Sequence, residues 1–294
     1  MSKSLIKTNR LINPAPYLFI LPSMIIFGVF VFFPFVKTIA YSFTLTNARG
    51  DPVVFAGLEN YIKQFTSGDF LNSLKLTLIF APMIGLPTLI VAYFLAALAH
   101  NRVRGSRIYE VFYSLPMAVA SVPASVVWKK ILSSEKNGII NYLLGGEIHW
   151  LLDTRYALMS VAFVTIWLQV GASFLFLLAG FRNVSDDILE SARMDGAGYF
   201  TRLFRIITPV ASPQIFFVVF LNVLTSFQAF GQIRLLTAGG PSYSTNVLVY
   251  SIYLSAMQYA RFETAFTQSI VLFFIILIVT LIQFRTEKRM VHYQ

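Results

Sequence analysis

Six stretches of this chain carry no charged side chain and are long enough to cross a lipid bilayer, which takes about 20 residues of α-helix. Of the 294 residues, 56% are hydrophobic and only 12% are charged, which is too apolar for a soluble domain of this length. We therefore predict an all-α integral membrane protein with six transmembrane helices. The predicted spans are residues 17–36, 76–99, 111–128, 156–181, 206–233 and 264–284.

A seventh uncharged stretch, residues 235–260, is interrupted by Gly239, Gly240 and Pro241. Only residues 247–260 remain apolar without a break, and that run is too short to span a bilayer. We predict that it forms a helix lying in, or dipping into, the outer membrane interface.

The positions of Lys and Arg indicate the topology. An even number of spans places both termini on one side, and cytoplasmic loops are enriched in cations. We predict cytoplasmic termini, with an N-terminal segment at residues 1–15, a transmembrane domain at 16–285 and a tail at 286–294. Because topology explains the net charge of +10, that charge does not indicate nucleic-acid binding. The cations on the predicted cytoplasmic side are Lys3, Lys7, Arg10, Arg102, Arg104, Arg107, Arg182, Arg193, Arg202, Arg205, Arg285, Lys288 and Arg289.

The connection between the fourth and fifth predicted spans, residues 182–208, is a charged island between two apolar runs. Asp187 and Glu190 have the spacing of a capping box, which predicts a helix that begins directly after Asp187. Glycine accepts the left-handed backbone that ends a helix, so this helix should end at Gly196 or Gly198.

A second helix, residues 199–207, is predicted to lead to Pro209, which is tolerated in the first turn of the next span. The first helix would be only about eight residues long, and isolated helices under ~12 residues are marginally stable in water. We therefore expect a partner to hold it.

This loop resembles that of the importer permeases of binding-protein-dependent ABC systems. Their pattern is Glu-Ala-Ala, then Gly four residues after the last Ala, then nine residues and Ile-x-Leu-Pro. Ser191 replaces the first Ala and Thr208 replaces Leu. The string ARMDGAG, which contains Asp195, resembles the carbohydrate-uptake branch. The matching and replaced positions are Glu190, Ser191, Ala192, Gly196, Ile206, Thr208 and Pro209.

Other strings extend the resemblance over residues 14–294. They are FAGLENY, RGSRIYEVFYSLPMAVASVPASVVW, TAGGP and the final QFRTEKRMVHYQ. The second and the last look most similar to glycerol-3-phosphate permease subunits, within a wider group of sugar permeases.

The resemblance implies a type I ABC importer permease in a bacterial or archaeal cytoplasmic membrane. It implies a second homologous permease subunit, an ATPase dimer and an extracytoplasmic solute-binding protein as partners. The loop would be the coupling helix that sits in a groove of the ATPase, with Glu190 pairing with a basic group there. The expected solute is a sugar or sugar-like molecule, and the alternative is glycerol 3-phosphate or one of its diesters.

Several chemistries are missing from the sequence. No G-x-x-x-x-G-K-[ST] phosphate loop occurs, so we expect ATP and Mg to be bound by the partner ATPase rather than by this chain. The three histidines do not have the spacing of a metal site, and we predict neither a cofactor nor a catalytic residue here. An ion-driven secondary carrier is the alternative from another class. However, apart from Glu110 at the edge of the third span, the apolar runs contain no acid of the kind that such carriers use.

Uncharged polar residues of the fifth span are candidates for the substrate path. Asn222, Thr225, Gln228 and Gln232 have the spacing of one helical face. Amides can both donate to and accept from sugar hydroxyls. Alternatively, these groups hydrogen-bond to neighbouring helices. Two further candidates are Ser226 in the same span and Gln169, beside Ser173, in the fourth span.

Overall fold

The computed structural model describes residues 15–100, 106–134 and 138–290. In these ranges the regular secondary structure is helical apart from one two-stranded antiparallel hairpin, β1 (Thr44–Thr46) with β2 (Pro52–Phe55). The helices are α1 (Ala15–Phe27), α2 (Phe33–Ser42), α3 (Glu59–Thr66), α4 (Gly68–His100), α5 (Ser106–Ala118), α6 (Ser121–Ile131), α7 (Ile139–Leu144), α8 (Ala157–Arg182), α9 (Asp186–Met194), α10 (Tyr199–Arg202), α11 (Thr208–Val210), α12 (Ser212–Phe227), α13 (Gly231–Leu236), α14 (Leu248–Tyr253) and α15 (Phe262–Met290). Three π-helical turns occur within these helical runs, at Gly28–Phe32, Leu203–Ile207 and Leu254–Gln258.

Four continuous helical segments are long and apolar enough to cross a membrane. They are Tyr17–Ser42, Gly68–His100, Ala157–Arg182 and Phe262–Glu287. These segments correspond to the first, second, fourth and sixth predicted spans. Two bent helix pairs raise the number to six if each pair is one span. Most of the N-terminal segment and the last four residues, together with Arg102, Arg104 and Lys136, lie outside the described residues.

The third predicted span is not one continuous helix. Its two halves, α5 and α6, meet at an angle of 101°. Ala120, just before α6, has an extended backbone (φ −63°, ψ 144°). Pro123 follows in the first turn of α6, where its missing N–H costs little. The predicted span over residues 111–128 is therefore a sharply bent pair of helices rather than one straight helix.

The fifth predicted span is broken twice. At Ala211 the helical run Tyr199–Val210 bends by 75° into α12, because Pro213 cannot donate the backbone hydrogen bond that would continue the helix. The second break follows Phe227, where α12 ends, and α13 begins at Gly231. The expectation of one helix over residues 206–233 was wrong at both points.

The seventh uncharged stretch contains the predicted helix. α14 continues through its π-helical turn to Gln258 and packs against α4 and α15. Leu248, Tyr250 and Leu254 are buried in this packing. The position of this helix in the membrane interface stays a prediction.

The core is organised around α4 and α8, which pack along each other. Ala92 and Ala96 on α4 are fully buried, as is Phe174 on α8. Small residues such as these let two helix backbones approach closely. In contrast, the Tyr17–Ser42 segment buries none of its apolar window and joins the bundle through α2, where Phe35 meets Phe273 of α15 at 4.9 Å between ring centres.

Candidate functional site

The charged loop folds as α9, a tight turn and the run α10–α11. α9 begins at Asp186, and Ser185 is its N-cap residue without a side-chain capping hydrogen bond. The predicted capping box of Asp187 and Glu190 was therefore wrong. Asp186 and Asp187 occupy the first turn and Arg193 the last, an arrangement that is favourable for the helix dipole.

The end of α9 is a Schellman turn. Gly196 has a left-handed backbone (φ +79°) and its N–H donates to the Arg193 carbonyl at 3.0 Å. The N–H of Ala197 donates to the Ala192 carbonyl at 2.9 Å. Of the two predicted stop positions, Gly196 is confirmed. Gly198 is instead the N-cap residue of α10, with φ −65°.

Most of α9 faces outward. Leu189 is the one buried residue of the helix, and it lies in the apolar core formed with α4 and α8. Glu190, Ser191 and Asp195 are exposed, and Ala192 is half-buried. Met194 is 88% exposed, so it adds a large apolar side chain to the polar surface of Glu190 and Asp195. The helix therefore offers a surface that the described chain does not cover.

After α9, two hydroxyl contacts join the loop to α4. The Tyr199 hydroxyl donates to the Ala97 carbonyl at 3.1 Å. The hydroxyls of Tyr93 and Thr208 are hydrogen-bonded at 2.5 Å, and Thr208 Oγ1 also donates to the Leu203 carbonyl at 2.7 Å across the π-helical turn. In the sequence Thr208 stands out only as a replaced position of the motif, and no sequence signal marks Tyr93 or Tyr199.

An ion pair holds the base of the loop. Both guanidinium nitrogens Nη1 and Nη2 of Arg182, at the end of α8, donate to the carboxylate of Glu110 on α5, at 3.2 and 2.6 Å. Glu110 was the one acid noted at the edge of a predicted span, but its partner could not be read from the sequence. The pair fixes α5 beside the start of the loop.

The candidate path residues do not share one surface. Asn222 and Ser226 are buried, and Ser173 on α8 donates to Asn222 Oδ1 at 2.8 Å. Ser226 donates to the Asn222 carbonyl at 2.6 Å. The Ser173–Asn222 bond matches the alternative interpretation, in which polar groups hydrogen-bond between helices, whereas the Ser226 bond stays within α12. Asn222 Nδ2 is buried without a partner among the described residues.

The other candidates point elsewhere. Thr225 and Gln228 are exposed, and Gln228 lies beyond the end of α12. Gln232 is half-buried on the separate helix α13. The prediction that these amides line one helical face with Asn222 was therefore wrong. Gln169 is half-buried on α8 with an unpartnered Oε1, and a role in the path stays a prediction for all of these residues.

Arg234 on α13 stacks on aromatic rings. Its guanidinium lies 4.9 Å from the centre of the Tyr253 ring and 5.9 Å from that of Phe230. Burial raises the pKa of nearby Tyr250, and Tyr253 adds to this effect, while Arg234 opposes it. The rings of Tyr253 and Phe230 hold the guanidinium of Arg234 at the surface of the bundle.

The comparisons with known proteins agree with this architecture. Residues 76–292 match the family described as binding-protein-dependent transport system inner membrane component. The chain belongs to this family. It is the permease subunit of a binding-protein-dependent ABC importer, and this membership excludes the ion-driven carrier considered above.

Among its relatives is the sn-glycerol-3-phosphate transport system permease protein UgpA of Salmonella typhi, 33% identical over 95% of this chain and 96% of its own length. The UgpA protein of Yersinia enterocolitica is 34% identical over 95% and 96% of the two chains.

Two solved structures share the fold. A bacterial ABC transporter involved in import of the acidic polysaccharide alginate has a chain with a TM-score of 0.83 at 22% identity, covering 95% of this permease and 96% of that chain. The MetNI methionine ABC transporter matches with a TM-score of 0.54 at 13% identity, over 80% and 99% of the two chains.

Within the permease, the structure explains one departure from the family pattern. A Leu at position 208 could not form the hydrogen bonds that Thr208 makes with Tyr93 and Leu203. Ser191 is exposed, and its hydroxyl is bonded to none of the described residues, so nothing there distinguishes it from the Ala of the pattern. Over the described ranges, no group of three or more His, Asp or Glu side chains could hold a metal ion.

Proposed function

We propose that this permease is one of two membrane subunits of an ATP-driven importer in the bacterial cytoplasmic membrane, and that α9 is the helix through which it couples to the ATPase. The observation that carries the proposal is the exposed surface of α9, formed by Glu190, Met194 and Asp195, on a base that is locked to the bundle. A short helix with one buried residue needs an external contact to hold its position.

The proposed partners are a second homologous permease, an ATPase dimer and an extracytoplasmic solute-binding protein. ATP and Mg are bound by the ATPase, and this chain binds no cofactor. A related fold supports the presence of a binding protein, since an alginate ABC transporter was solved in complex with an alginate-bound periplasmic protein.

The proposed topology has six spans and cytoplasmic termini. Each bent pair, α5–α6 and α10–α12, then counts as one span. The cation-rich loop that contains α9 lies on the cytoplasmic side, as expected from the enrichment of Lys and Arg in cytoplasmic loops.

In this mechanism, closure of the ATPase dimer pushes on α9. Gly196 and the turn after it transfer the displacement to α10, and Tyr93 and Thr208 carry it to α4. The bend at Ala211 lies between this rigid base and α12. The bundles of the two permeases then rock from inward to outward access, while the chain itself makes and breaks no covalent bond.

The proposed solute is a sugar or sugar-like molecule. The names of the relatives favour a second candidate, glycerol 3-phosphate or one of its diesters, because the UgpA permeases are about one-third identical to this chain. Both candidates carry hydroxyl groups, but only the second carries a phosphate.

The test is ATP hydrolysis by the purified assembly in lipid, with its binding protein, across neutral sugars and glycerol phosphates. We expect one class of solute to stimulate hydrolysis severalfold, and the variant Glu190→Ala to reduce the stimulation. Asp186→Ala in the same helix is the matched control. An assembly without an ATPase, or with hydrolysis unaffected by any solute in the panel, would contradict the proposal.

A further inference from the structure

The short helix α3 has its polar side chains inside and its apolar side chains outside. Asn60 and Gln64 are 4% and 7% exposed, whereas Ile62 and Phe65 are 64% and 48% exposed. Leu58, directly before the helix, is 63% exposed. At about 100° per residue, residues 58, 62 and 65 lie on one side of the helix and residues 60 and 64 on the other. A helix on a water-covered surface has the reverse arrangement.

Hydrogen bonds fix this orientation of α3. The side-chain amide of Asn60 donates to the carbonyls of Ser42, at the end of α2, and of Thr44 in β1. Gln64 Oε1 accepts a bond of 3.0 Å from Gln268 Nε2 on α15. A rotation of α3 that buried its apolar side chains would break these three bonds and leave buried amides unpaired. The apolar side therefore faces outward in the folded chain.

The hairpin before α3 enlarges this apolar surface. Every residue of β2 is exposed, and Phe55 at its end is 77% exposed. Exposed apolar patches of this kind mark contacts with lipid or with another protein. Six large apolar side chains make up the surface, which we call the outer apolar patch: Val53, Val54, Phe55, Leu58, Ile62 and Phe65.

Two hydrogen bonds to α15 indicate the depth of the patch. The uncharged run of α15, residues 264–284, is 21 residues long, which is about 31 Å of helix and matches a hydrocarbon core of about 30 Å. Thr46 of β1 donates to Glu263 Oε2 at 2.6 Å, at the edge of that run. Gln64 is bonded to Gln268, about 7 Å further in. The hairpin is therefore level with the edge of the core, and α3 lies just inside it. Interfacial helices bury their apolar face to a similar depth, about 5–10 Å.

The charged side chains near the patch suit lipid headgroups. Both signs are present, as in a zwitterionic lipid, and the four exposed residues are Arg49, Asp51, Glu59 and Lys63. Lys75 is also exposed, five residues after the Phe70 ring that packs on Phe65. The long apolar stem of a lysine lets its amine reach the headgroups from such a position.

Lipid fits the patch better than a protein partner does. A protein interface carries about one hydrogen bond per 100–200 Å², but the six side chains of the patch contain no donor or acceptor. The two-stranded hairpin also leaves one edge of each strand unpaired. Such an edge is not tolerated in the hydrocarbon core, but water satisfies it in the headgroup layer, which is the level indicated by the bond between Thr46 and Glu263.

We propose that lipid of the outer leaflet covers the outer apolar patch, with the hairpin in the headgroup layer and Ile62 at the upper end of the acyl chains. Asn60 and Gln64 then connect this anchor to α2 and α15, and hold the outer ends of both helices at a fixed depth. The inference rests on the proposed function only for the topology that makes this leaflet the outer one.

The experiment measures the depth of single nitroxide labels, which can be attached to introduced cysteines because the chain contains none. Leu58→Cys and Ile62→Cys place labels in the patch. Lys63→Cys is the matched control, since Lys63 is exposed on the same helix but turned by about 100° from Ile62. Ala48→Cys, in the exposed hairpin turn, is the water reference.

The labelled assembly, with the cysteines of its other subunits replaced, is reconstituted in phosphatidylcholine bilayers. Electron paramagnetic resonance then gives the accessibility of each label to O2, which concentrates in lipid, and to nickel-EDDA, which stays in water. We expect the ratio of O2 to nickel accessibility at both patch positions to exceed that at Ala48 at least about fivefold, with Lys63 in between.

A ratio at Ile62 no higher than that at Lys63 overturns the proposal, as does strong nickel access at both patch positions. Low accessibility to both reagents also overturns it, because protein from the second permease or the binding protein would then cover the patch. Failure of the proposed function is a separate result, since loss of solute-stimulated ATP hydrolysis leaves the depth of these labels unchanged.

Discussion

At the coupling end of the bundle, where α9 to α11 meet the last turns of α4 and α8, fully buried alanines of α4 pack against Phe174 and Phe181. At the opposite end, around the first turn of α4, buried amides join the elements. Asn60 Nδ2 bridges the carbonyls of Ser42 and Thr44, at 3.0 and 2.9 Å, and so ties α3 to the hairpin.

The difference has a physical consequence. Apolar packing is non-directional, so smooth helix faces can shift relative to each other while they keep most of their buried area. Amide hydrogen bonds are directional and are lost after small displacements. The end around the first turn of α4 is therefore suited to a fixed geometry, whereas the coupling end combines apolar packing between helices with the hydroxyl bonds of Tyr93 and Tyr199 that hold the base of the loop.

The largest expected effect is at a buried amide of α7. Asn141 is 2% exposed and makes four hydrogen bonds, to the carbonyls of Ser133 and Ile148, the N–H of Ile148 and the indole N–H of Trp150. We expect Asn141→Leu to lower the free energy of unfolding by about 3 kcal/mol, because several buried groups lose their partner.

Thermal unfolding of the purified permease in detergent measures this loss. Asn72→Leu is the control, since Asn72 is exposed and makes one bond of 3.3 Å to the Tyr243 carbonyl. Equal unfolding temperatures of the two variants would show that the hydrogen bonds of the buried Asn141 amide do not stabilise the fold.

The second effect concerns the turn after α9. Gly196→Val places a β-branched residue in a left-handed backbone, at a local cost of about 1–2 kcal/mol. We expect transport to fall at least about tenfold while basal ATP hydrolysis is retained. Measuring solute uptake and ATP hydrolysis in the same proteoliposomes gives the coupling ratio.

Gly198→Val is the matched control for this turn. Gly198 has a negative φ, and no atom lies within 4 Å of an added Cβ at either glycine, so only the backbone strain differs. Normal coupled uptake in Gly196→Val, or an equal loss in both variants, would refute the role of the turn.

The third effect concerns the hydroxyl contact between α4 and α11. Tyr93→Phe removes one hydrogen bond with Thr208, worth about 1 kcal/mol, and leaves the ring packed. We expect a severalfold lower coupling ratio with little change in assembly. Thr208→Leu should have a similar effect, and the double variant should be no worse than either single one; fully additive losses would mean that the two residues act separately.

The smallest effect concerns the ion pair at the base of the loop. Glu110 and Arg182 are partly exposed, so loss of their ion pair should lower the free energy of unfolding by about 1 kcal/mol or less. We expect Glu110→Arg to lower the unfolding temperature slightly and the double variant Glu110→Arg/Arg182→Glu to recover most of the loss. Failure of the double variant to recover would show that surroundings other than the pair determine the effect.

Periodicity and charge predicted the long helices because a bilayer imposes a length that is visible in the sequence. The third and fifth predicted spans are bent for a local reason. Pro123 and Pro213 each lie in the first turn of a new helix, and a count of apolar residues does not detect that a new helix begins there. The prediction that Gln228 and Gln232 share a helical face with Asn222 was wrong for the same reason. α12 ends at Phe227, and the spacing of a continuous helix does not extend across that break.

The sequence by itself determined the membrane character of the chain, the helix–turn–helix form of the charged loop and the end of its first helix at one of two glycines, Gly196 or Gly198. Each follows from local rules of length, charge and backbone conformation. Tertiary structure alone decided the pairing of Glu110 with Arg182, the bond between Tyr93 and Thr208, and the bonds of Asn246 with Ser73 and of Gln268 with Gln64. The two residues of each pair lie between 72 and 204 positions apart in the sequence. No local rule encodes which distant side chain folding will bring into contact.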